Sequence, residues 1–278
     1  MNENWVVSNL NNALLIWNRR LKEIYSLMNV SPKAFKGGRI WKVITDINGS
    51  MKAIGLALVV LFFLMGVVST ASDFDHLKRP EQALKLFIRF ALSRAVVVYG
   101  LDLMLDIYEI VQGIMAAALN ASGLSSAKAM SVPGTIAKAV EEASLLESIP
   151  LWTITIIASI AILIISMLLI LSVYGRFFRI YMYTAISPIP LSTFASTTTQ
   201  HSGISFLKSY IGVCMEGVII IIACVIFSAF LLSEPVVNAS ASPVTQVFSY
   251  TGEIIFNMLI LLGSVRIADR TVKEMMGL

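Results

Sequence analysis

The chain has 278 residues, of which 57% are hydrophobic and 14% charged, with a net charge of +4 at pH 7. Soluble domains carry about 25% charged residues and are less than half apolar, so this composition excludes an ordinary soluble protein. The excess apolar surface must face lipid, and the basic residues of such a chain indicate topology rather than a nucleic-acid patch.

The first predicted element is an amphipathic helix near the amino terminus. Its apolar residues recur with alternating spacings of three and four, which is a heptad seam: Val7, Leu10, Leu14, Trp17, Leu21, Ile24 and Met28. The segment is too short and too polar to span a bilayer. Either it packs against partner helices or it lies in the membrane interface with its apolar stripe towards lipid. We assign residues 1–50 to this helix and a basic linker, in which Pro32 and the Gly37–Gly38 pair break the helix.

The second region, 51–119, combines a membrane span with a long charged amphipathic helix. Residues 53–72 contain no charge over 20 positions, which is enough for one bilayer crossing. The following helix, predicted at 86–119, is apolar overall but carries five charges: Arg89, Arg94, Asp102, Asp106 and Glu109. At about 100° per residue the three acids fall on one face. Because lipid penalises such charges, this helix either spans the bilayer while shielded by protein or lies along the surface.

A loop and a carboxyl-terminal membrane bundle complete the predicted architecture. Residues 120–150 are poor in basic side chains and are predicted to be an extracellular loop. The bundle, residues 151–278, begins with a long helix whose stretch at 148–175 contains no charge over 28 positions. The fold class is therefore an all-α polytopic membrane bundle with about five membrane-embedded helices plus the amino-terminal helix.

Two prolines interrupt the bundle between its predicted spans. Pro188 and Pro190 remove backbone donors within the apolar segment 184–198. Irregular backbone at membrane depth is tolerated only where protein buries it or water lines it, so this segment is predicted to be re-entrant or interfacial. The prolines are candidate hinge residues, although a fixed packing bend explains them equally well. Further spans are predicted at 209–232 and 250–265.

The basic residues fix the topology of the carboxyl-terminal half only. Cytoplasmic positions are predicted for Lys208 and for five further residues that are also candidate lipid or partner contacts: Arg176, Arg179, Arg266, Arg270 and Lys273. If the helix at 86–119 spans, the amino terminus is external and its eight Lys and Arg residues violate the positive-inside rule. If that helix lies flat outside, the amino terminus is internal and 14 basic residues lie inside against 7 outside. The sequence leaves both topologies open.

No pattern typical of catalysis, cofactor binding or metal binding is present. The chain lacks the Walker, GxGxxG, HExxH and GxSxG motifs, so any energy must come from a partner. Cys214 and Cys224 lie on one apolar helix, too far apart for a disulfide bond. The acids at 102, 106 and 109 are candidate pore-lining or inter-helix charges, or they face external water. Arg89 and Arg94 are candidates for contact with phosphate or with lipid headgroups. Glu216 either pairs with Arg176 or Arg179 or extends to water.

The order of these elements resembles one family. The chain is similar to the TrbL-like polytopic membrane subunits of conjugative type IV secretion systems, in the form carried by mobile elements of Gram-positive bacteria. The similar stretches are MNENWVVSNLNNALL, SPKAFKGGRIWKVITDING, RPEQALKLFIRFAL, YGRFFRIYMYTAISPIPLSTFAS and the terminal VKEMMGL. They extend along essentially the whole chain, and none of them is a catalytic motif.

The resemblance implies a non-enzymatic channel subunit in the cell membrane. It implies a homo-oligomeric ring, other secretion subunits and their ATPases as partners, membrane lipids around the ring, and transfer of single-stranded DNA with attached protein, which contacts the subunit at most transiently. It also implies an external amino terminus and a cytoplasmic carboxyl terminus. The alternative is a secondary transporter that uses intramembrane carboxylates, since broken helices form such sites. A membrane enzyme is a weaker alternative, because His76 and His201 have no nucleophile motif near them.

Overall fold

The computed structural model describes residues 5–71, 80–121, 129–230 and 241–277. These residues form α-helices and short 3₁₀ turns and contain no strand. The α-helices are α1 Trp5–Met28, α2 Arg39–Ala71, α3 Pro80–Val98, α4 Gly100–Ala121, α5 Gly134–Glu141, α6 Leu145–Ile186, α7 Pro188–Leu191, α8 Gln200–Phe230 and α9 Pro243–Met276. The 3₁₀ turns are Phe35–Gly38 and Ser192–Ala195.

Among the described residues, four helical stretches are long and apolar enough to cross a bilayer. They are Phe35–Ser69, Glu147–Ile186, Gln200–Phe230 and Pro243–Met276. A run of about 20 apolar residues hydrogen-bonds its own backbone only as a helix, which is why such runs span lipid in this form. The all-α polytopic membrane bundle expected from the sequence is confirmed.

The chain packs as two compact units, each built from separate stretches of sequence. Unit 1 comprises Met1–Asn29, Met115–Tyr174 and Gly217–Ala268. Unit 2 comprises Val30–Ile114, Gly175–Glu216 and Asp269–Leu278.

In unit 1 the heptad seam of α1 is buried within the protein. Trp17, at the middle of the seam, is fully buried and its ring lies edge-on to Phe227 of α8 at a centroid distance of 5.7 Å. Asn18 Nδ2 donates to the carbonyl oxygen of Met130 at 2.8 Å, and the Val132 amide donates to Asn11 Oδ1 at 3.1 Å. The structure therefore decides that α1 packs against helices of its own chain rather than lying on lipid.

Helix α1 runs in the same direction as the charge-free part of α6. Near its start the rings of Trp5 and Trp152 lie 6.1 Å apart, and near its end Tyr174 Oη donates to Glu23 Oε1 at 3.1 Å. From the first contact to the second, the residue number rises on both helices, from Trp5 to Glu23 on α1 and from Trp152 to Tyr174 on α6, so the two helices are parallel. The start of α1 consequently lies beside the start of α6.

In unit 2 helix α2 packs closely on the proline-containing turn. A Cβ at Gly55 would lie 2.6 Å from the Pro188 carbonyl oxygen, and a Cβ at Gly66 would lie 3.3 Å from Ser196 Oγ. The two glycines are 11 residues apart, which returns to nearly the same side of a helix. Val59 lies between them in a buried cluster with Val97, Leu191 and Ala195.

The helix predicted over 86–119 is divided in the structure. Helix α3 ends at Val98, Tyr99 forms a bend, and α4 begins at Gly100. A Cβ at Gly100 would lie 2.7 Å from Leu191 Cδ1, so the glycine lets the start of α4 pack closely on this side chain. Glycine also weakens a helix interior, and the division follows from both effects.

Candidate functional site

A group of buried and half-buried charges joins α6, α8 and α9 in unit 2. Arg179 of α6 forms an ion pair with Glu216 of α8, and its Nη1 donates to Asp269 Oδ1 of α9 at 3.0 Å. Lys273, one turn further along α9, donates from Nζ to Asp269 Oδ2 at 2.9 Å. We call these four residues the charge cluster. The Glu216 side chain is 3% exposed, whereas those of Arg179 and Asp269 are each 34% exposed.

Arg176 lies one turn before Arg179 and is 0% exposed. Its Nε and Nη2 atoms donate to the carbonyl oxygens of Val213 and Cys214, each at 3.3 Å, and its Cζ lies 5.8 Å from the centroid of the Tyr108 ring. Helical carbonyls can accept these bonds because each retains a second lone pair. Arg176 is therefore not available to lipid headgroups or to a partner protein, in contrast to the expectation from its sequence position.

The pair that the sequence proposed for Glu216 is with Arg179. Glu216 Oε2 accepts from that guanidinium, while its Oε1 is buried without a hydrogen-bond partner among the described residues. A half-paired buried carboxylate is costly, and the ion pair with Arg179 offsets part of that cost. The cluster thereby fixes the relative positions of the three helices that contribute to it.

The predicted acidic stripe lies on the outer face of α4. Asp102, Asp106 and Glu109 are all exposed and form no ion pair with another described residue. The opposite face of the helix is buried and consists of Met104, Tyr108, Val111 and Met115. Tyr108 Oη donates to the carbonyl oxygen of Val30 at 3.0 Å, and Tyr210 Oη donates to that of Met104 at 2.7 Å. These two bonds hold Met104 and Tyr108 within unit 2.

The two arginines of α3 differ in their surroundings. Arg94 is exposed, whereas Arg89 is half-buried and lines two neighbouring cavities. Arg89 Nη1 is buried and has no hydrogen-bond partner among the described residues. The two arginines predicted to contact phosphate or lipid headgroups therefore lie in different surroundings. Of the two, Arg89 alone lines these cavities.

The candidate hinge prolines form a buried turn between α6 and α8. Ser187 is fully buried, and Asn48 of α2 donates from Nδ2 to Thr184 O at 2.7 Å and to Ser187 Oγ at 3.1 Å. Leu191 N donates to Ser187 O at 3.1 Å, which closes a helical turn over Pro188 and Pro190. The hydrogen bonds from Asn48 favour a fixed bend at the two prolines. A hinge role for them stays a prediction.

The remaining basic candidates lie at the end of α9. Arg266 is exposed, and Arg270 Nε donates to Glu274 Oε1 at 2.8 Å in an exposed pair. Lys273 belongs to the charge cluster. Arg270 and Lys273 therefore form ion pairs within the chain.

Sequence reasoning missed several residues that organise unit 2. Asp269 and Asn48 are polar residues on largely apolar helices, and a polar residue in such a position indicates a buried polar contact. The spacing of Gly55 and Gly66 would have indicated a close helix contact. Their partners could not have been found by spacing, because Pro188 and Ser196 are distant in sequence.

A metal site would need three or more His, Cys, Asp or Glu side chains close together. The described residues contain no such group. Cys214 and Cys224 are both buried free thiols. His201 is exposed at the start of α8, and His76 lies outside the described residues.

Long apolar helices joined by buried charges define this chain as a multi-pass α-helical membrane protein. A family model described as "TrbL/VirB6 plasmid conjugal transfer like protein" matches residues 17–188, which is more than half of the 278 residues. The chain belongs to this TrbL/VirB6 family, and so it is a membrane component of a conjugal transfer system that works with other subunits of that system. Comparisons with curated proteins and with solved structures gave no match.

Proposed function

We propose that the chain is a channel subunit of a conjugative type IV secretion system. In this role, copies of the chain form a ring through which single-stranded DNA with attached protein crosses the membrane, driven by separate ATPases. The transfer system itself follows from the family match over residues 17–188. The observation that carries the channel role is the exposed acidic stripe of α4.

The stripe needs a polar neighbour, and the residues that the structure describes supply no ion-pair partner for it. Carboxylates facing lipid cost several kcal/mol each (about 2.5–3.5 for Asp on insertion scales). On α4 the exposed acids stand beside exposed apolar residues such as Ile110, which is 68% exposed. A ring of copies solves this problem by turning the stripe towards a wet passage.

An acidic wall repels the phosphate backbone of DNA rather than binding it. We therefore assign the stripe to keeping the passage hydrated and free of bound strand. Contact with DNA is then transient, as expected of a conduit.

Packing within unit 1 supports an external amino terminus. The start of α1 lies beside the start of α6, and α6 runs from the outside inwards if Arg176 and Arg179 mark its cytoplasmic end. Charge counting alone favoured an internal amino terminus. Packing against other helices weakens the positive-inside rule, because the final fold rather than each loop then decides the location.

The transporter alternative receives less support from the same geometry. A solute site would need acids that converge beside the broken helix. Asp102, Asp106 and Glu109 instead face outwards, and Glu216 is paired with Arg179.

The experiment measures transfer of the mobile element from donor to recipient cells. Deleting the gene should abolish transfer without affecting growth, and expression from a second site should restore it. In the complemented strain, the combined Asp102→Asn, Asp106→Asn and Glu109→Gln variant should reduce transfer strongly, although the protein reaches the membrane in normal amount. The matched control is Glu141→Gln, which neutralises an exposed acid on α5.

Two results would contradict the proposal at different levels. Normal transfer by the deletion strain would exclude a role in conjugation. Normal transfer by the triple variant would exclude the acidic stripe as part of the passage.

A further inference from the structure

Two cavities in unit 2 meet at Lys85 and Arg89 of α3. The first has a volume of about 320 Å³ and the second of about 490 Å³. The first is completed by Gly66, Leu86, Ala195, Ser196 and Thr197, and the second by Ile88, Leu92, Ser93, Val96, Phe194 and Gln200. Volumes of this order are typical of small-ligand sites.

Arg89 brings an unused donor to the point where the cavities meet. Its Nη1 atom is buried and lacks a hydrogen-bond partner among the described residues. A buried, unpaired guanidinium N–H carries the full desolvation cost of a charged donor. An anion in the cavity would satisfy it, and guanidinium groups bind phosphate through parallel hydrogen bonds.

The other polar groups around Arg89 favour the same kind of ligand. Lys85, one turn earlier on α3, lines both cavities and is exposed. Ser196 and Thr197, which carry hydroxyl groups, also line the first cavity. No acidic side chain occurs among the described residues that line either cavity. One end of the site is therefore cationic and rich in donors.

The other end of the site is apolar and open. Ile88 and Leu92 line the second cavity and are 51% and 62% exposed. Phe87 and Leu84, on neighbouring turns, are also exposed. A cationic end beside an apolar surface matches the headgroup and acyl chain of a phospholipid.

We propose that the cavities at Lys85 and Arg89 bind one anionic phospholipid, with its headgroup phosphate at Arg89 and an acyl chain along Ile88, Leu92 and Val96. The bound lipid places its one negative charge between two cations that have no acidic side chain beside them among the described residues that line the cavities. It also fills the space between α3 and the segment 194–197, which holds the turn that follows α7. The site does not depend on the channel role, since it needs only a membrane around the chain.

The test uses the full-length protein purified in a mild detergent and titrated with phosphatidylglycerol or phosphatidylcholine of identical acyl chains, with native mass spectrometry as the readout. Wild-type protein should retain phosphatidylglycerol in preference to phosphatidylcholine. Arg89→Gln should weaken binding of phosphatidylglycerol by roughly tenfold, the size of one charge-assisted hydrogen bond, and leave phosphatidylcholine unchanged. The matched control is Arg94→Gln, an exposed arginine on the same helix that lines neither cavity and should bind as wild type does.

A second variant protects the test against a folding defect. Lys85→Gln alters an exposed side chain and should also weaken binding of phosphatidylglycerol, with an unchanged helical circular dichroism spectrum. Equal retention by wild type and both variants would overturn the proposal, as would an equal loss in Arg94→Gln.

Competition identifies the source of the phosphate. Inorganic phosphate at millimolar concentration should leave phosphatidylglycerol bound, because it lacks the acyl chains. Displacement by inorganic phosphate would assign the cavity to the free anion, and displacement by a short single-stranded oligonucleotide would assign it to nucleic acid. Either displacement would overturn the lipid assignment.

Discussion

At the residue scale, the arginines of α6 show how one helix face serves two different environments. Arg176 is fully buried and uses main-chain carbonyls of α8 as acceptors, whereas Arg179 is one-third exposed and pairs with two carboxylates. Residues three apart point to the same side of a helix, so both can reach α8. The two arginines have different partners because they differ in burial. Only Arg179, the more exposed of the two, contacts Glu216 and Asp269.

Removing Arg179 should destabilise the protein more than removing an exposed arginine. Arg179→Gln leaves the buried Glu216 without its partner, and breaking a fully buried pair costs about 3–5 kcal/mol. This range is an upper limit here because Arg179 is 34% exposed. Arg270→Gln, which breaks the exposed pair with Glu274, should cost about 0–1 kcal/mol.

The measurement is thermal unfolding in detergent, followed by a thiol-reactive dye that reports exposure of the buried Cys214 and Cys224. Combining Arg179→Gln with Glu216→Gln should recover part of the lost stability, since no buried charge is then left alone. Equal melting temperatures for the Arg179 and Arg270 variants would show that the cluster contributes nothing.

At the element scale, the packing of α2 on the proline turn depends on glycine. Gly55 and Gly66 allow the helix backbone to approach the turn, and Asn48 donates to the end of α6 on the same side. The turn itself has few amide donors to offer, because Pro188 and Pro190 have none. Close packing of α2 and the hydrogen bonds from Asn48 replace the backbone hydrogen bonds that the prolines cannot donate.

Two glycine substitutions on α2 should have opposite effects. Gly55→Ala places a Cβ 2.6 Å from a backbone oxygen that cannot move aside, and overpacking of this kind costs about 1–3 kcal/mol. Gly49→Ala meets no atom within 4 Å and should stabilise the helix by about 0.5–1 kcal/mol. The same thermal unfolding assay compares them. A Gly55→Ala protein as stable as wild type would mean that α2 does not approach the turn this closely.

At the scale of the whole molecule, the open issue from the sequence is the location of the amino terminus. Charge counting favours the cytoplasm, whereas α1 in unit 1 begins beside the start of α6. Side-chain contacts at both ends of α1 keep it parallel to α6. We expect packing to prevail, because α1 buries every residue of its apolar seam except Val7, which is half-buried.

Cysteine accessibility in intact cells tests this topology. Single cysteines replace Asn2, Glu141 and Lys273 in turn, with Cys214→Ala and Cys224→Ala in the background. An impermeant maleimide should label the first two in intact cells and the third only after permeabilisation. Labelling of Asn2 only in permeabilised cells would place the amino terminus in the cytoplasm and contradict the packing argument.

The sequence by itself determined the class of protein and most of its helices. The charge-free run at 53–72 lies in α2 as far as Ala71, and the run at 148–175 lies within α6. The Gly37–Gly38 pair separates α1 from α2. These features are local, since a helix in lipid satisfies its own backbone and glycines at positive φ interrupt it. The family resemblance was visible for the same reason, because it depends on the order of such segments.

Only the tertiary structure decided which residues meet. It chose Arg179 over Arg176 as the partner of Glu216, added Asp269, divided the helix at Tyr99, and buried the seam of α1 against its own chain. It also left Arg89 Nη1 in a cavity without a hydrogen-bond partner among the described residues, while Arg94 is exposed. Each outcome joins residues far apart in the chain, and periodicity specifies which face a side chain occupies but not what packs against that face.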